Sequence, residues 1–284
     1  MRYCWLALAP VLLVLAVGAY LSEIALHPPR RAGGPASAPV VTLRTADGVR
    51  LVATWEPSSP ATGRCAILLH GVQDSRASMA GLAAGLRDYG YSTLTPDSRA
   101  HGESGGMATF GVRERGDVLA WIAWMKRSGC SSVVGLGESM GAAILLQAAD
   151  EPGALRAVVA ECPYEAFIRI ADDRVTREAP VWPFLRRPLA WVVVRAGFLY
   201  TRVRYGINLY DAAPIHTVGR IQIPVLLIHG DADHNIDPSQ SRDLLSAQPR
   251  AQLWIVPGAT HTNASTTSPE KFSNRVTAFF AAAP

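Results

Sequence analysis

From residue 40 onward, short apolar runs alternate with longer stretches in which apolar residues recur at helical spacing. Val40–Thr45 and Val49–Trp55 predict two strands joined at Ala46-Asp47-Gly48, a hairpin turn by its Asp-Gly step. Cys65-Ala66-Ile67-Leu68-Leu69 is continuously apolar and ends at His70-Gly71. Such a run suits a strand buried on both faces of a parallel sheet. The cycle then repeats: helix 75–89, strand 91–95, helix 113–127, strand 132–136, helix 139–149, strand 155–160. After residue 222 it resumes with strand 223–228, helix 238–247, strand 252–256 and helix 269–280. Strands alternating with helices imply right-handed crossovers and a mostly parallel, doubly wound α/β sheet.

Residues 163–222 break the cycle. They hold no clear strand, and Trp182, Phe184, Trp191, Phe198, Tyr200, Tyr205 and Tyr210 are interleaved with arginines. A structureless loop of that length is implausible in a compact domain, so the expectation is a helical cap inserted between core segments 40–162 and 223–284. Ahead of the core, Trp5–Leu21 is uncharged and apolar, about long enough to cross a bilayer's hydrocarbon layer of roughly 30 Å. Residues 1–26 are therefore expected to be a membrane anchor, with a cleaved signal peptide (small residues at Val17-Gly18-Ala19) or a buried helix as alternatives. Arg2 on one side and Arg30-Arg31 on the other leave the orientation open. Residues 27–39 have linker composition.

Composition narrows the picture. The chain has 284 residues, 49% hydrophobic and 18% charged, which supports a sizeable core and argues against disorder. Its net charge of +4 is concentrated in 163–222, with nine arginines against five acidic residues. The remaining blocks are near neutral, so a nucleic-acid groove is not expected. Four cysteines, Cys4, Cys65, Cys130 and Cys162, show no metal-ligand spacing. Cys65 and Cys130 border predicted strands and read as small core hydrophobes, with one disulfide left open.

The chemistry is concentrated in Gly137-Glu138-Ser139-Met140-Gly141, a G-x-S-x-G sequence directly after an apolar strand and before a small-residue helix. A nucleophile on so tight a turn needs glycines two positions either side, and the helix N-terminus aims free N–H groups at developing negative charge. With this elbow, three further stretches resemble the α/β-hydrolase superfamily in its order: His70-Gly71-Val72, then Asp97-Ser98-Arg99-Ala100-His101-Gly102-Glu103-Ser104-Gly105-Gly106, and, after the elbow, His229-Gly230-Asp231-Ala232-Asp233. Pro257-Gly258-Ala259-Thr260-His261 follows the last strand, where that family keeps its histidine. The resemblance covers nearly all of 40–282 and implies an α/β-hydrolase fold with a Ser139, Asp233, His261 triad and an oxyanion hole made by the backbone N–H groups of Val72 and Met140. Ala100 stands where the family usually has glycine.

Neighbouring polar residues have plainer roles. Asp237, before Pro238, reads as a helix cap, and Asp231 as a turn residue bonded to its own backbone. His70 and His101 read as orienting their loops, His229 as capping a strand end, and Glu138 as structural, its side chain turned from Ser139. The family resemblance implies that an acidic residue in 111–117 secures the loop after the fourth strand. The implied activity is hydrolysis of a carboxylic ester or related acyl bond through an acyl-enzyme, without metal or organic cofactor. Alternatives are a serine peptidase of the same fold and a non-catalytic binding protein at a membrane. The expected partners are a small-molecule or lipid-like acyl substrate and, through the N-terminal segment, a membrane.

Overall fold

A computed structural model describes residues 4–34 and 39–283. Arg2, and Pro35 with residues 36–38 of the expected linker, lie outside the described residues. Eight strands form one sheet in the order β1-β2-β4-β3-β5-β6-β7-β8. They are β1 (Val40–Arg44), β2 (Arg50–Glu56), β3 (Arg64–Leu69), β4 (Ser92–Pro96), β5 (Ser132–Glu138), β6 (Val158–Glu161), β7 (Val225–Gly230) and β8 (Gln252–Val256). β1 and β2 form the expected hairpin, and β2 runs antiparallel to β4. From β4 to β8 every pairing is parallel, as the continuous apolar runs require. This is the α/β-hydrolase fold.

The helices are α1 (Cys4–Leu26), α2 (Ala80–Asp88), α3 (Glu114–Arg127), α4 (Met140–Ala148), α5 (Phe167–Glu178), α6 (Pro183–Tyr205), α7 (Ser239–Ala247), α8 (Ala264–Thr267) and α9 (Pro269–Ala281). One side of the sheet packs Ile67, Leu94 and Val133 with Trp121, Ile122 and Met125 of α3 and Ile144 and Leu145 of α4. The other packs Leu68, Leu136 and Ile228 with Leu86 of α2 and Phe272, Val276 and Phe280 of α9. Two differences from the sequence reading have local causes. The helix expected from residue 75 opens as a 3-10 turn at Arg76–Met79, where the Arg76 amide is drawn to the Asp97 carboxylate at 2.7 Å. The helix expected from Ser139 starts one residue later, because Ser139 sits at φ 52, ψ −114, outside helical geometry.

Cys65 and Cys130 are bonded to each other rather than being separate core thiols. β3 and β5 are neighbours in register, Cys65 opposite Val133, which carries the turn at Cys130 into reach with Cα atoms 5.8 Å apart. The cross-link spans 65 residues, a loop for which chain entropy gives roughly 4 kcal/mol of stabilisation.

The segment 163–222 is helical, with α5, α6 and three short 3-10 turns. Phe167 of α5 stacks between Phe110 of the loop after β4, at 3.7 Å between centroids, and Phe198 of α6. α1 lies along α6. A Cβ on Gly18 would sit 2.7 Å from the Gly197 nitrogen, and one on Gly197 would sit 2.6 Å from Ser22 Oγ, so the two backbones touch only because both positions are glycine. Tyr200 and Tyr205 both donate their hydroxyls to Glu23 Oε1 at 2.6 Å. Contacts therefore advance along α1 and α6 together, and the helices run in the same direction. Leu8–Leu26 within α1 has a mean hydropathy of 2.0 and is long and apolar enough to cross a membrane. The described part of the linker is laid across the loops after β3 and β4. Arg30 donates to Ser104 O at 2.8 Å, and Ser75 Oγ donates to Ala32 O at 2.5 Å.

Candidate active site

The carboxyl ends of β3, β4, β5, β7 and β8 gather the sequence motifs at one edge. At the end of β5 the chain turns into α4 within a single residue. A Cβ on Gly137 would lie 2.6 Å from the Ala142 nitrogen, and one on Gly141 would strike the carbonyl oxygens of Leu69 and His70. The glycines either side of Ser139 thus let α4 close onto β5 and β3. Ser139 occupies the apex, with its own N–H donating to Glu161 O at 2.8 Å. A non-glycine residue at positive φ costs of order 1–3 kcal/mol, which the packing around it must offset.

His261 reaches Ser139 from the loop after β8. Its Nε2 lies 3.0 Å from Ser139 Oγ, and its Nδ1 lies 2.7 Å from Asp233 Oδ2. Asp233 Oδ1 accepts from the amides of Asn235 at 2.8 Å and Ile236 at 3.0 Å. Burial pushes the Asp233 carboxyl up, but hydrogen bonds from His229 and His261 outweigh it and hold the group well below the ordinary carboxylate range. A carboxylate at Asp233 keeps the imidazole proton on Nδ1, so Nε2 presents its lone pair to the serine hydroxyl.

Val72 leaves β3 beside this group. A Cβ on Gly71 would come 3.4 Å from Ser139 Cβ, which places the start of that loop against Ser139. Met140 is the first residue of α4. Among the described residues, neither the Val72 nor the Met140 amide donates a hydrogen bond to the protein.

The remaining histidines hold loops. His70 accepts from the Ser98 amide at 3.1 Å and donates to Gly71 O; His101 accepts from the Gln73 amide at 3.1 Å and donates to Arg99 O. Burial, reinforced by His101, lowers His70 to about 4, and burial lowers His101 as well. Both rings are neutral at pH 7 and cross-tie the loops after β3 and β4. Ala100 keeps the left-handed backbone expected of glycine there, at φ 62. Arg99 is clamped by Asp117 of α3 and by Asp47, and Glu114 accepts from Thr109 and Gly111, so two acids of 111–117 secure the loop after β4.

Several supports were not foreseen. Asp231 does not bond its own turn; its Oδ1 accepts from the Gly258 amide at 2.7 Å, across to the loop that carries His261. Glu161 Oε1 accepts from the Ala264 amide at 2.9 Å just past that loop, and the Thr262 amide reaches Cys162 Sγ at 3.5 Å. Arg76, buried, pairs with Asp97 and Glu103. Asp237 accepts from the Ser239 amide at the start of α7, as a cap should. Glu138 is partly buried, and burial with Glu161 and Asp74 nearby raises its carboxyl to about 8. Burial likewise raises Glu161 to about 7. His229 does more than cap β7: Nδ1 faces Ser241 Oγ at 2.6 Å, and Nε2 faces Ile236 O at 2.9 Å and Asp233 Oδ2 at 3.3 Å.

Cys162, His229 and Asp233 bring three ligand-type atoms within 4.8 Å of one another. Both His229 nitrogens and the facing Asp233 oxygen are already engaged in the bonds just given, so the cluster is better described as a support for Asp233 than as a metal cage.

The model of the alpha/beta hydrolase family matches residues 66–275, from β3 into α9. The chain belongs to the alpha/beta hydrolase family. It is 29% identical over 201 residues to the protein YqkD of Bacillus subtilis (strain 168), a match over 68% of this chain and 63% of that one. The chain thus spans under two thirds of that relative's length. Among solved structures, the Pyrococcus furiosus esterase Pf2001 superposes with a TM-score of 0.72 at 24% identity, covering 90% of this chain and 99% of that one. The esterase RhEst1 from Rhodococcus sp. ECU1013 gives 0.60 at 20% identity, over 86% and 99%. At these identities the likeness is one of fold.

Proposed function

We propose that this hydrolase cleaves a carboxylic ester or related acyl bond with Ser139 as nucleophile. His261 Nε2 takes the hydroxyl proton as Oγ attacks the carbonyl carbon, and Asp233 stabilises the imidazolium that forms. The carbonyl oxygen becomes an oxyanion held by the Val72 and Met140 amides, each such donor worth roughly 3–4 kcal/mol in the transition state. The imidazolium returns its proton to the leaving alcohol, and water deprotonated by the same nitrogen then releases the acid. The unbroken relay from Ser139 Oγ through His261 to Asp233, at 3.0 and 2.7 Å, carries this reading. In it α5 and α6 form a cap beside the site, since Arg177 of α5 donates to His234 O in the loop that bears Asp233. α1 acts as the membrane anchor. The Cys65–Cys130 bond favours a hydrolase body on the oxidising side of the membrane.

A fluorophosphonate probe tests the reaction. The wild-type chain should label and should hydrolyse p-nitrophenyl acyl esters, while Ser139→Ala and His261→Ala should do neither and remain folded. Failure of the wild type to label would favour a non-catalytic binding protein, and faster cleavage of peptide amides than of matched esters would favour a peptidase.

A further inference from the structure

α6 carries an apolar face that the protein does not cover. Leu185, Val192 and Leu199 recur every seven residues, and Val203 follows four later, so they share one stripe. Phe184 and Trp191 border that stripe, and Trp182 precedes the helix. Trp182, Phe184 and Val203 are 73%, 75% and 80% exposed. The opposite face, with Val193, Val194, Gly197 and Phe198, is buried. The exposed residues are therefore not the cap's attachment to the core.

Charge on the same helix indicates what the stripe meets. α6 contains five arginines, at 186, 187, 195, 202 and 204, and no acidic residue. Arg195 is paired to Asp172 and lies over the Trp191 ring, whereas Arg187 and Arg202 are exposed. A second copy of the chain would bring like charges together on such a face, which disfavours self-association. An anionic bilayer satisfies both features: tryptophan and aliphatic side chains enter the acyl boundary while arginines meet phosphates. The neighbouring helix extends the same surface, because Leu12, Leu13 and Val17 of α1 are exposed too, and the Gly18–Gly197 contact holds the two helices together.

We propose that α6 is a second membrane contact, entering an anionic leaflet alongside α1 with its exposed stripe toward the lipid. This surface does not depend on the reaction assigned to Ser139, and its test reads no activity. In the full chain carrying Cys4→Ala, Cys162 is buried and Cys65 is bonded to Cys130. A polarity-sensitive thiol fluorophore can then be placed at Leu199→Cys or Val203→Cys, with Ser273→Cys on the exposed side of α9 as reference. The labelled chains are reconstituted into phosphatidylcholine vesicles with and without phosphatidylglycerol. Both α6 positions should shift to the blue and be quenched by lipid-borne nitroxide, more strongly with phosphatidylglycerol, while position 273 does neither. Combined Arg187→Ala and Arg202→Ala should remove the extra effect of phosphatidylglycerol. The proposal is overturned if aqueous iodide reaches the α6 labels as freely as the reference while the protein floats with the vesicles. It is equally overturned if the blue shift appears without lipid and follows protein concentration, which would make a second copy the occupant.

Discussion

At the carboxyl edge of the sheet, the charged groups that build the site have partners. Asp233 accepts from two amides and faces two histidines, Arg99 is clamped by two aspartates, and Arg76 pairs with Asp97 and Glu103. Along α1 and α6 the outward-facing groups are mostly apolar, joined by the exposed Arg187 and Arg202. The edge is over-determined by polar bonds between distant loops, which suits side chains that must hold a hydroxyl and an imidazole in register. The helix pair is held by a close backbone crossing and one shared glutamate, and it leaves a large apolar surface for something outside the chain. Two regions in contact through Phe110, Phe167 and Phe198 are thus built for different surroundings.

If the regions are separable, changes at the edge should remove turnover and changes at the crossing should not. The largest expected effect is from Asp233→Asn. The amide would present a donor to His261 Nδ1 and favour the tautomer with the proton on Nε2, facing the serine. A fall in kcat of about 10⁴-fold is expected, with little change in thermal stability, measured on a soluble p-nitrophenyl ester. Gly197→Leu comes next. Its side chain would meet Ser22 and the Gly18 carbonyl, prying α6 from α1 at a cost of roughly 1–3 kcal/mol. Thermal melts should record that loss while kcat on the soluble ester stays near wild type; a collapse of kcat would show that the crossing positions the edge as well.

Glu161 gives a pH test confined to the edge. Burial raises its carboxyl from an ordinary 4.5 to about 7, so between those values the native chain keeps a proton that the unfolded chain has lost. Its stabilising contribution is full below pH 4.5 and is lost as pH rises through about 7. Glu161→Gln should flatten that decline in melts taken across the window, and an unchanged slope would show that another group titrates. The smallest effect is expected at Ala100, whose φ of 62 suits glycine better than alanine. Ala100→Gly should stabilise the protein by about 1 kcal/mol, read as a rise in Tm of about 2–4 °C.

Much of the edge was legible because its requirements are local. A serine between two glycines, after a buried strand and before a helix, leaves a signature within a few residues, and the order of serine, aspartate and histidine follows the strands. The supports of the His261 loop left no such signature. Asp231 meets Gly258, Glu161 meets Ala264 and Cys162 meets Thr262 only after β6, β7 and β8 lie side by side. The Cys65–Cys130 bond was undecidable for the same reason, since its partners are separated by 65 residues and become neighbours through strand order. The α1–α6 pairing was equally hidden. Hydropathy marked α1 as apolar and aromatics marked α6 as unusual, but nothing periodic links Gly18 to Gly197.

The tie between Glu23 and the two tyrosines of α6 bears on how the protein can be produced. Leu26 is fully buried and its carbonyl accepts from the Ala108 amide, so the end of α1 is stitched into the body. A recombinant version begun after this helix would bare Val193 and Gly197 and remove the carboxylate that accepts from Tyr200 and Tyr205. Such a trimmed form should melt at a lower temperature than the intact chain in the same detergent.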